Sequence, residues 1–206
     1  MEAKLISVLI GYIFGCFLTA EIVARKRTGK SASELGKTGN PGMANITASL
    51  GILPGIITLI GDLGKCALAG LLSWYLFSDA GWIIVLYAGL GCTLGHNFPF
   101  WRKFRGGKGV ATSSMAIVLY SFIPGLCANI IGLLVVLFSG YLCIGGPCIP
   151  LSYTIIMLTM GDQEAAIISV ILTALSLIGH GGSIRGIRDG NTEKTNLLGK
   201  LRSKKE

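Results

Sequence analysis

Seven stretches of the chain are almost wholly apolar, and the polar residues gather between them. The stretches read as helices over 3–24, 51–77, 80–98, 109–123, 125–140, 143–160 and 165–181. A hydrocarbon core about 30 Å thick takes about 20 helical residues to cross, so 109–123, 143–160 and 165–181 are short for a crossing. In lipid each segment must satisfy its own backbone polar groups, which leaves helices as the fitting element for runs of this kind. The expected fold is all-α: a polytopic membrane protein of about seven transmembrane helices. Gly-x-x-x-Gly spacing recurs at Gly11/Gly15, Gly51/Gly55 and Gly91/Gly95, and inside apolar runs it predicts close helix packing. The two halves show no inverted repeat of the kind many transporters carry.

A chain of 206 residues suggests a single domain over 1–206. Hydrophobic residues make up 51% and charged residues 14%, against about 25% charged in an average soluble domain, so the bilayer is the expected solvent. The formal charge of +8 is concentrated. Arg25, Lys26, Arg27, Lys30 and Lys37 follow the first apolar run, and Arg102, Lys103, Arg105 and Lys108 follow the third. Arg185, Arg188, Lys194, Lys200, Arg202, Lys204 and Lys205 form the tail, so 16 of the 18 basic residues lie in three segments. The positive-inside rule explains this placement better than nucleic-acid binding does. It puts the N-terminus outside and the C-terminus in the cytoplasm. Residues 139–148 should face the same side as the basic segments yet carry no charge. The six cysteines are scattered through apolar runs without metal-ligand spacing and read as small buried hydrophobes. The first run lacks a small-residue cleavage site and reads as a retained signal anchor.

Charges within apolar runs need partners. Glu21 stands four residues before Arg25, which suits a helical i,i+4 pair. Asp62 and Lys65 lie one turn apart, deep in the second run. Two readings fit them: mutual neutralisation, or the lining of a polar cavity open to the cytoplasm.

The densest chemistry is Gly95-His96-Asn97-Phe98-Pro99, followed by a basic turn and Gly106-Gly107-Lys108-Gly109-Val110-Ala111-Thr112. Glycines let backbone N–H groups approach an anion, and the helix that follows adds its positive dipole end. Lys108 supplies a full charge, and Thr112 and Ser113 offer hydroxyls. The spacing is not that of a nucleotide P-loop, since Arg102 occupies the first glycine position and Gly109 the Ser/Thr position. Nor does a strand precede the loop, which excludes a dinucleotide fold. A second polar cluster, Thr38-Gly39-Asn40-Pro41-Gly42-Met43-Ala44-Asn45, precedes the second run. Asn-Pro-Gly alone signals a turn, while two asparagines and a threonine also suit hydroxyl and phosphate oxygens.

At these residues the chain resembles the bacterial acyl-phosphate:glycerol-3-phosphate acyltransferases. The likeness runs over essentially the whole chain. It is carried by residues 95–112, by Gly39-Asn40-Pro41-Gly42 with Asn45, Leu50 and Gly51, by Asp62 with Lys65, and by His180 with Ile184, Arg185 and Gly190. It implies seven helices in the cytoplasmic (inner) membrane and a site facing the cytoplasm. The reaction implied is acyl transfer from acyl phosphate to the 1-hydroxyl of glycerol 3-phosphate, the first step of phospholipid synthesis, without metal or organic cofactor. The implied partners are acyl phosphate, glycerol 3-phosphate, membrane lipid and the soluble enzyme that forms acyl phosphate; nucleic acid is not among them. Several positions depart from the family pattern. Thr38 replaces a serine, Ala44 a threonine and Ala48 an arginine. Gly179-His180-Gly181-Gly182-Ser183 stands for Arg-His-Arg-Glu-Asn, and Gly140-Tyr141-Leu142-Cys143 for basic-Tyr-x-Ser.

The expected catalytic residues are His96, Lys108, His180 and Asn45, and the expected substrate-binding residues are Thr38, Asn40, Asn97, Gly106, Gly107, Gly109 and Thr112. Lys108 with the N–H groups of Gly106, Gly107 and Gly109 would hold phosphate, and Thr38, Asn40 and Asn45 would orient the glycerol part. The proton acceptor is open between His96, His180 and the donor's own phosphate. Two rival readings stand beside catalysis. One is a paralogue that binds glycerol phosphate or lipid; the other is an organophosphate permease.

Overall fold

The computed structural model of the chain describes residues 1–192, 194 and 195, and these are all-helical apart from turns and connections. The helices are α1 (Glu2–Cys16), α2 (Thr19–Thr28), α3 (Met43–Leu50), α4 (Ile52–Leu76), α5 (Ile84–Asn97), α6 (Val110–Tyr120), α7 (Phe122–Ser139), α8 (Leu142–Thr159) and α9 (Gln163–Arg188). Two compact units divide them: Met1–Tyr120 carries α1 to α6, and the second, from Ser121, carries α7 to α9. Of the tail residues in the charge argument, Lys200, Arg202, Lys204 and Lys205 lie outside the described residues.

Every apolar run is helical, but their lengths differ from the sequence reading. Among the described residues five helical segments are long and apolar enough to cross a membrane: Glu2–Thr28, Ile52–Leu76, Phe122–Ser139, Leu142–Thr159 and Gln163–Arg188. The run expected over 80–98 is helical only over Ile84–Asn97, because a 3-10 turn at Ser78–Ala80 and a left-handed Gly81 precede it. At 1.5 Å per residue its 14 residues reach about 21 Å. The 11 residues of α6 reach about 17 Å, and extended Ser121 ends the run early. By contrast, α9 continues through Gly181 and Gly182 to Arg188. The polar turn before the second span also yields a helix of its own, α3, which the turn signal concealed.

The first run is broken. Phe17 and Leu18 are both extended, with no proline or glycine at the break. The carbonyls released there find tertiary partners. Lys65 on α4 donates to Phe17 O at 2.7 Å and to Gly15 O at 3.4 Å, and Trp101 Nε1 donates to Cys16 O at 2.8 Å. Lys65 Nζ also lies 2.9 Å from Asp62 Oδ1, with both side chains buried. Of the two readings of this pair, neutralisation is the one seen, joined to a capping role at the break.

On α1 small residues face inward and large ones outward, the distribution suited to an apolar solvent. Leu5, Leu9 and Ile13 are exposed on α1, while Ser7, Gly11 and Gly15 are buried on its opposite side. The buried side packs on α5 with the two backbones touching. A Cβ on Gly11 would overlap Ala88 O, one on Gly15 Cys92 O, one on Gly91 Val8 O, and one on Gly95 Tyr12 O. Two of the three Gly-x-x-x-Gly motifs therefore serve one interface, as their spacing predicts, while Gly55 of the third packs on Thr47 of α3. In the second unit, α7 packs on α8 and α8 on α9. The Asp162 carboxylate caps α9 by accepting from Ala165 N at 3.0 Å.

The α1–α5 contact supplies a direct test. Gly91→Ala forces a methyl into backbone atoms, so unfolding stability in detergent should fall by about 1–3 kcal/mol, the cost of overpacking. Gly64→Ala places its methyl in open space on α4 and should melt no lower than the parent. Equal melting of the two variants contradicts the backbone contact.

Candidate active site

The glycine-lysine loop is built on the end of α5. Gly106 N donates to Asn97 O and Gly107 N to His96 O, each at 2.9 Å, closing carbonyls that the helix end leaves unpaired. These two N–H groups, which the sequence reading assigned to phosphate, are thus engaged within the fold. The glycines serve close packing instead: a Cβ on Gly106 would overlap His96 O, and one on Gly107 would overlap His96 Nε2. Gly109 has φ +75° and leads into α6, whose first turn presents the donors left over for an anion. Lys108 is half-buried at that entrance. Thr112 Oγ1 donates back to Gly109 O at 3.0 Å and Ser113 Oγ to Val110 O at 3.1 Å, so these hydroxyls meet a ligand only as acceptors.

His96 and Asn97 differ sharply. His96 is 4% exposed, and its Nδ1 accepts from the Lys65 ammonium at 2.9 Å. A neutral ring in that arrangement carries its proton on Nε2, which lies against Gly107. Both ring nitrogens are therefore enclosed by the scaffold. Asn97 is 3% exposed, and neither its Oδ1 nor its Nδ2 has a hydrogen-bond partner among the described residues. Its amide sits beside the Cα of Gly109: a Cβ there would lie 2.6 Å from Oδ1 and 3.2 Å from Nδ2. An unpaired buried amide costs about 1–3 kcal/mol, and this one is adjacent to the positive end of α6.

The polar turn before α3 is organised by Asn45. Its Nδ2 donates to Ala32 O at 3.3 Å and Leu35 O at 3.0 Å, and its Oδ1 accepts from Thr38 Oγ1 at 3.0 Å. The amide of Asn45 thus shapes the turn, and Thr38 is tied to it. Asn40 N reaches Thr38 Oγ1 at 3.4 Å, and Asn40 O accepts from Gly42 N at 2.9 Å.

Glu21 joins this turn to the glycine-lysine loop. The sequence reading gave it Arg25 alone as partner, and that bond is present at 2.7 Å. Its Oε2 additionally accepts from Ala32 N at 3.0 Å, Ser31 Oγ at 3.1 Å and Arg102 Nη1 at 3.1 Å. Neither Glu21 nor Arg102 stood among the candidate residues. Arg102 lies 81 positions away, inside a basic run that counting charges could not resolve.

His180 belongs to the second unit, buried on α9. Its Nδ1 lies 2.8 Å from Ser176 O, so Nδ1 carries the proton and Nε2 is the lone-pair nitrogen of a neutral ring. That is the opposite tautomer to His96.

An all-helical chain with spanning helices, and with two such polar loops at one end of its first unit, defines an integral membrane protein. The chain belongs to the glycerol-3-phosphate acyltransferase family, whose model matches residues 5–190. Glycerol-3-phosphate acyltransferase 1 of Lactobacillus acidophilus is 35% identical over 202 residues, covering 98% of this chain and 97% of that protein. The glycerol-3-phosphate acyltransferase of Shouchella clausii is 35% identical over 179 residues, covering 84% and 87%. Among solved structures, the crystal structure of PlsY (YgiH), an integral membrane glycerol 3-phosphate acyltransferase in its glycerol 3-phosphate form, superposes with a TM-score of 0.84. It is 25% identical, with 96% of this chain and 98% of that chain covered.

The buried Lys65 also yields a prediction. Lys65→Met removes the counter-charge of Asp62 and leaves a buried carboxylate uncompensated, which should cost about 3–5 kcal/mol of stability. Asp62→Asn combined with Lys65→Met should recover part of that loss in a detergent melt. A single variant as stable as the parent contradicts the neutralising role.

Proposed function

We propose that this chain transfers a fatty acyl group from acyl phosphate to the 1-hydroxyl of glycerol 3-phosphate, giving lysophosphatidic acid. The observation that carries the reading is the buried, unpartnered Asn97 amide against Gly109, where the loop that carries Lys108 opens into α6. Family membership supplies the substrates. Acyl phosphate is already activated, so catalysis consists of holding two anions together and stabilising the charge of the tetrahedral intermediate. Lys108, the N–H groups opening α6, and Asn97 bind phosphate oxygens. Thr38 and Asn40 lie on the turn that receives the glycerol part, and Asn45 maintains its shape. The hydroxyl oxygen bonds to the acyl carbon, the acyl–phosphate C–O bond breaks, and inorganic phosphate leaves. The hydroxyl proton goes to the departing phosphate or to a histidine. In the same reading the seven apolar runs cross the inner membrane, with the N-terminus outside and this site toward the cytoplasm.

The purified protein given acyl phosphate and glycerol 3-phosphate should release inorganic phosphate and form lysophosphatidic acid in equal amounts. Lys108→Ala should lower kcat/KM about 10- to 150-fold, the scale of one charged hydrogen bond. A folded parent that binds glycerol 3-phosphate without transfer would instead make the chain a binding paralogue. Ala48, Gly182 and Ser183, where the family resemblance expects charged or amide groups, favour that second reading.

A further inference from the structure

We infer that Glu21 and Arg102 are a positioning pair that sets the spacing of the two substrate loops, an inference resting on the reaction proposed above. The Glu21 carboxylate is 4% exposed and lies at the polar end of the first spanning segment. It is bonded from three separate parts of the chain: α2, the turn at 31–35, and the loop between α5 and α6. Arg102 fixes the same turn a second way, donating from Nη2 to Ser33 Oγ at 3.0 Å and Ser31 Oγ at 3.3 Å. From Ala32 the connection continues to Asn45 and then to Thr38, in the glycerol turn. From Arg102 the chain runs only four residues to Gly106 and the phosphate loop. One buried carboxylate therefore stands between the two loops that must hold the two anions at reacting distance.

The geometry also separates Glu21 from an ordinary surface pair. Its four bonds are to two guanidinium groups, one hydroxyl and one backbone N–H. Removing its charge leaves a single neutral amide oxygen for the four donors that two carboxylate oxygens now serve, while the helices on either side keep their own packing. The expected consequence is a loss of register between loops, not a loss of fold. Neither side chain need touch a substrate.

The test compares Glu21→Gln, Arg102→Gln and the double variant with the parent, by kinetics and by loop spacing. At saturating acyl phosphate each single variant should raise KM for glycerol 3-phosphate about tenfold, with kcat and melting temperature close to the parent. The double variant should be no worse than the poorer single, since coupled groups are not additive. Arg102→Lys should restore part of the affinity. Spin labels at Lys37→Cys and Lys103→Cys, in a background without native cysteines, should give one narrow distance distribution that broadens in Glu21→Gln. Singles that fold with unchanged KM, additive losses, or a lowered melting point alone would each overturn the inference. If the glutamine variants fail to fold, Glu21→Asp takes their place, and an unchanged KM and distance in it overturns the inference equally. If the parent transfers no acyl group, the function reading fails separately. The dissociation constant for glycerol 3-phosphate and the label distance then decide the positioning claim, and an unbroadened distribution rejects it.

Discussion

A carbonyl released inside a membrane must find a donor, and the rest of the first unit is arranged around that demand. The first span opens at Phe17 and Leu18, and Lys65 and Trp101 close the gap. An ammonium at that depth is tolerated because Asp62 lies beside it on the same helix. The same ammonium holds the His96 ring, and the ring supports Gly107. The break in one helix thus reaches the loop that carries Lys108 through a short series of polar contacts. Trp101 adds a second tie, anchoring the basic turn to the end of α1.

From this follows a division of labour among residues that look alike in the sequence. His96, Asn45, Gly106 and Gly107 are committed to the scaffold, since their polar groups are paired within it. Asn97 is the exception, a buried amide with unpaired atoms. Beside it Gly109 opens α6, whose first turn leaves backbone N–H groups without partners in the helix. Preorganised donors of this kind cost no reorganisation when charge develops on a bound anion.

Much of the fold was legible because the bilayer leaves few options. Apolar runs gave helices, and Gly11, Gly15, Gly91 and Gly95 gave one close interface through their spacing alone. The break at Phe17 was not legible: its residues have no helix-breaking character, and the lysine that bonds its carbonyl lies 48 positions away. α3 was hidden because Asn40-Pro41-Gly42, a turn signal, stands immediately before it. The glycines of the glycine-lysine loop suggest exposed N–H groups, whereas Gly106 and Gly107 matter for the side chain they lack. Glu21 was noticed, but local spacing pointed to Arg25, and no sequence pattern links it to Arg102.

The tautomers of the two histidines test this account most directly, because they follow from which partner each ring nitrogen faces. Nitrogen-15 chemical shifts of labelled histidine, with the protein in lipid nanodiscs at neutral pH, distinguish a protonated Nδ1 from a protonated Nε2. His96→Gln and His180→Gln assign the two signals. The account predicts a neutral His96 protonated at Nε2 and His180 protonated at Nδ1. A His96 ring that carries its proton on Nδ1 would contradict it, since Lys65 could then not be holding the ring that supports the glycine-lysine loop.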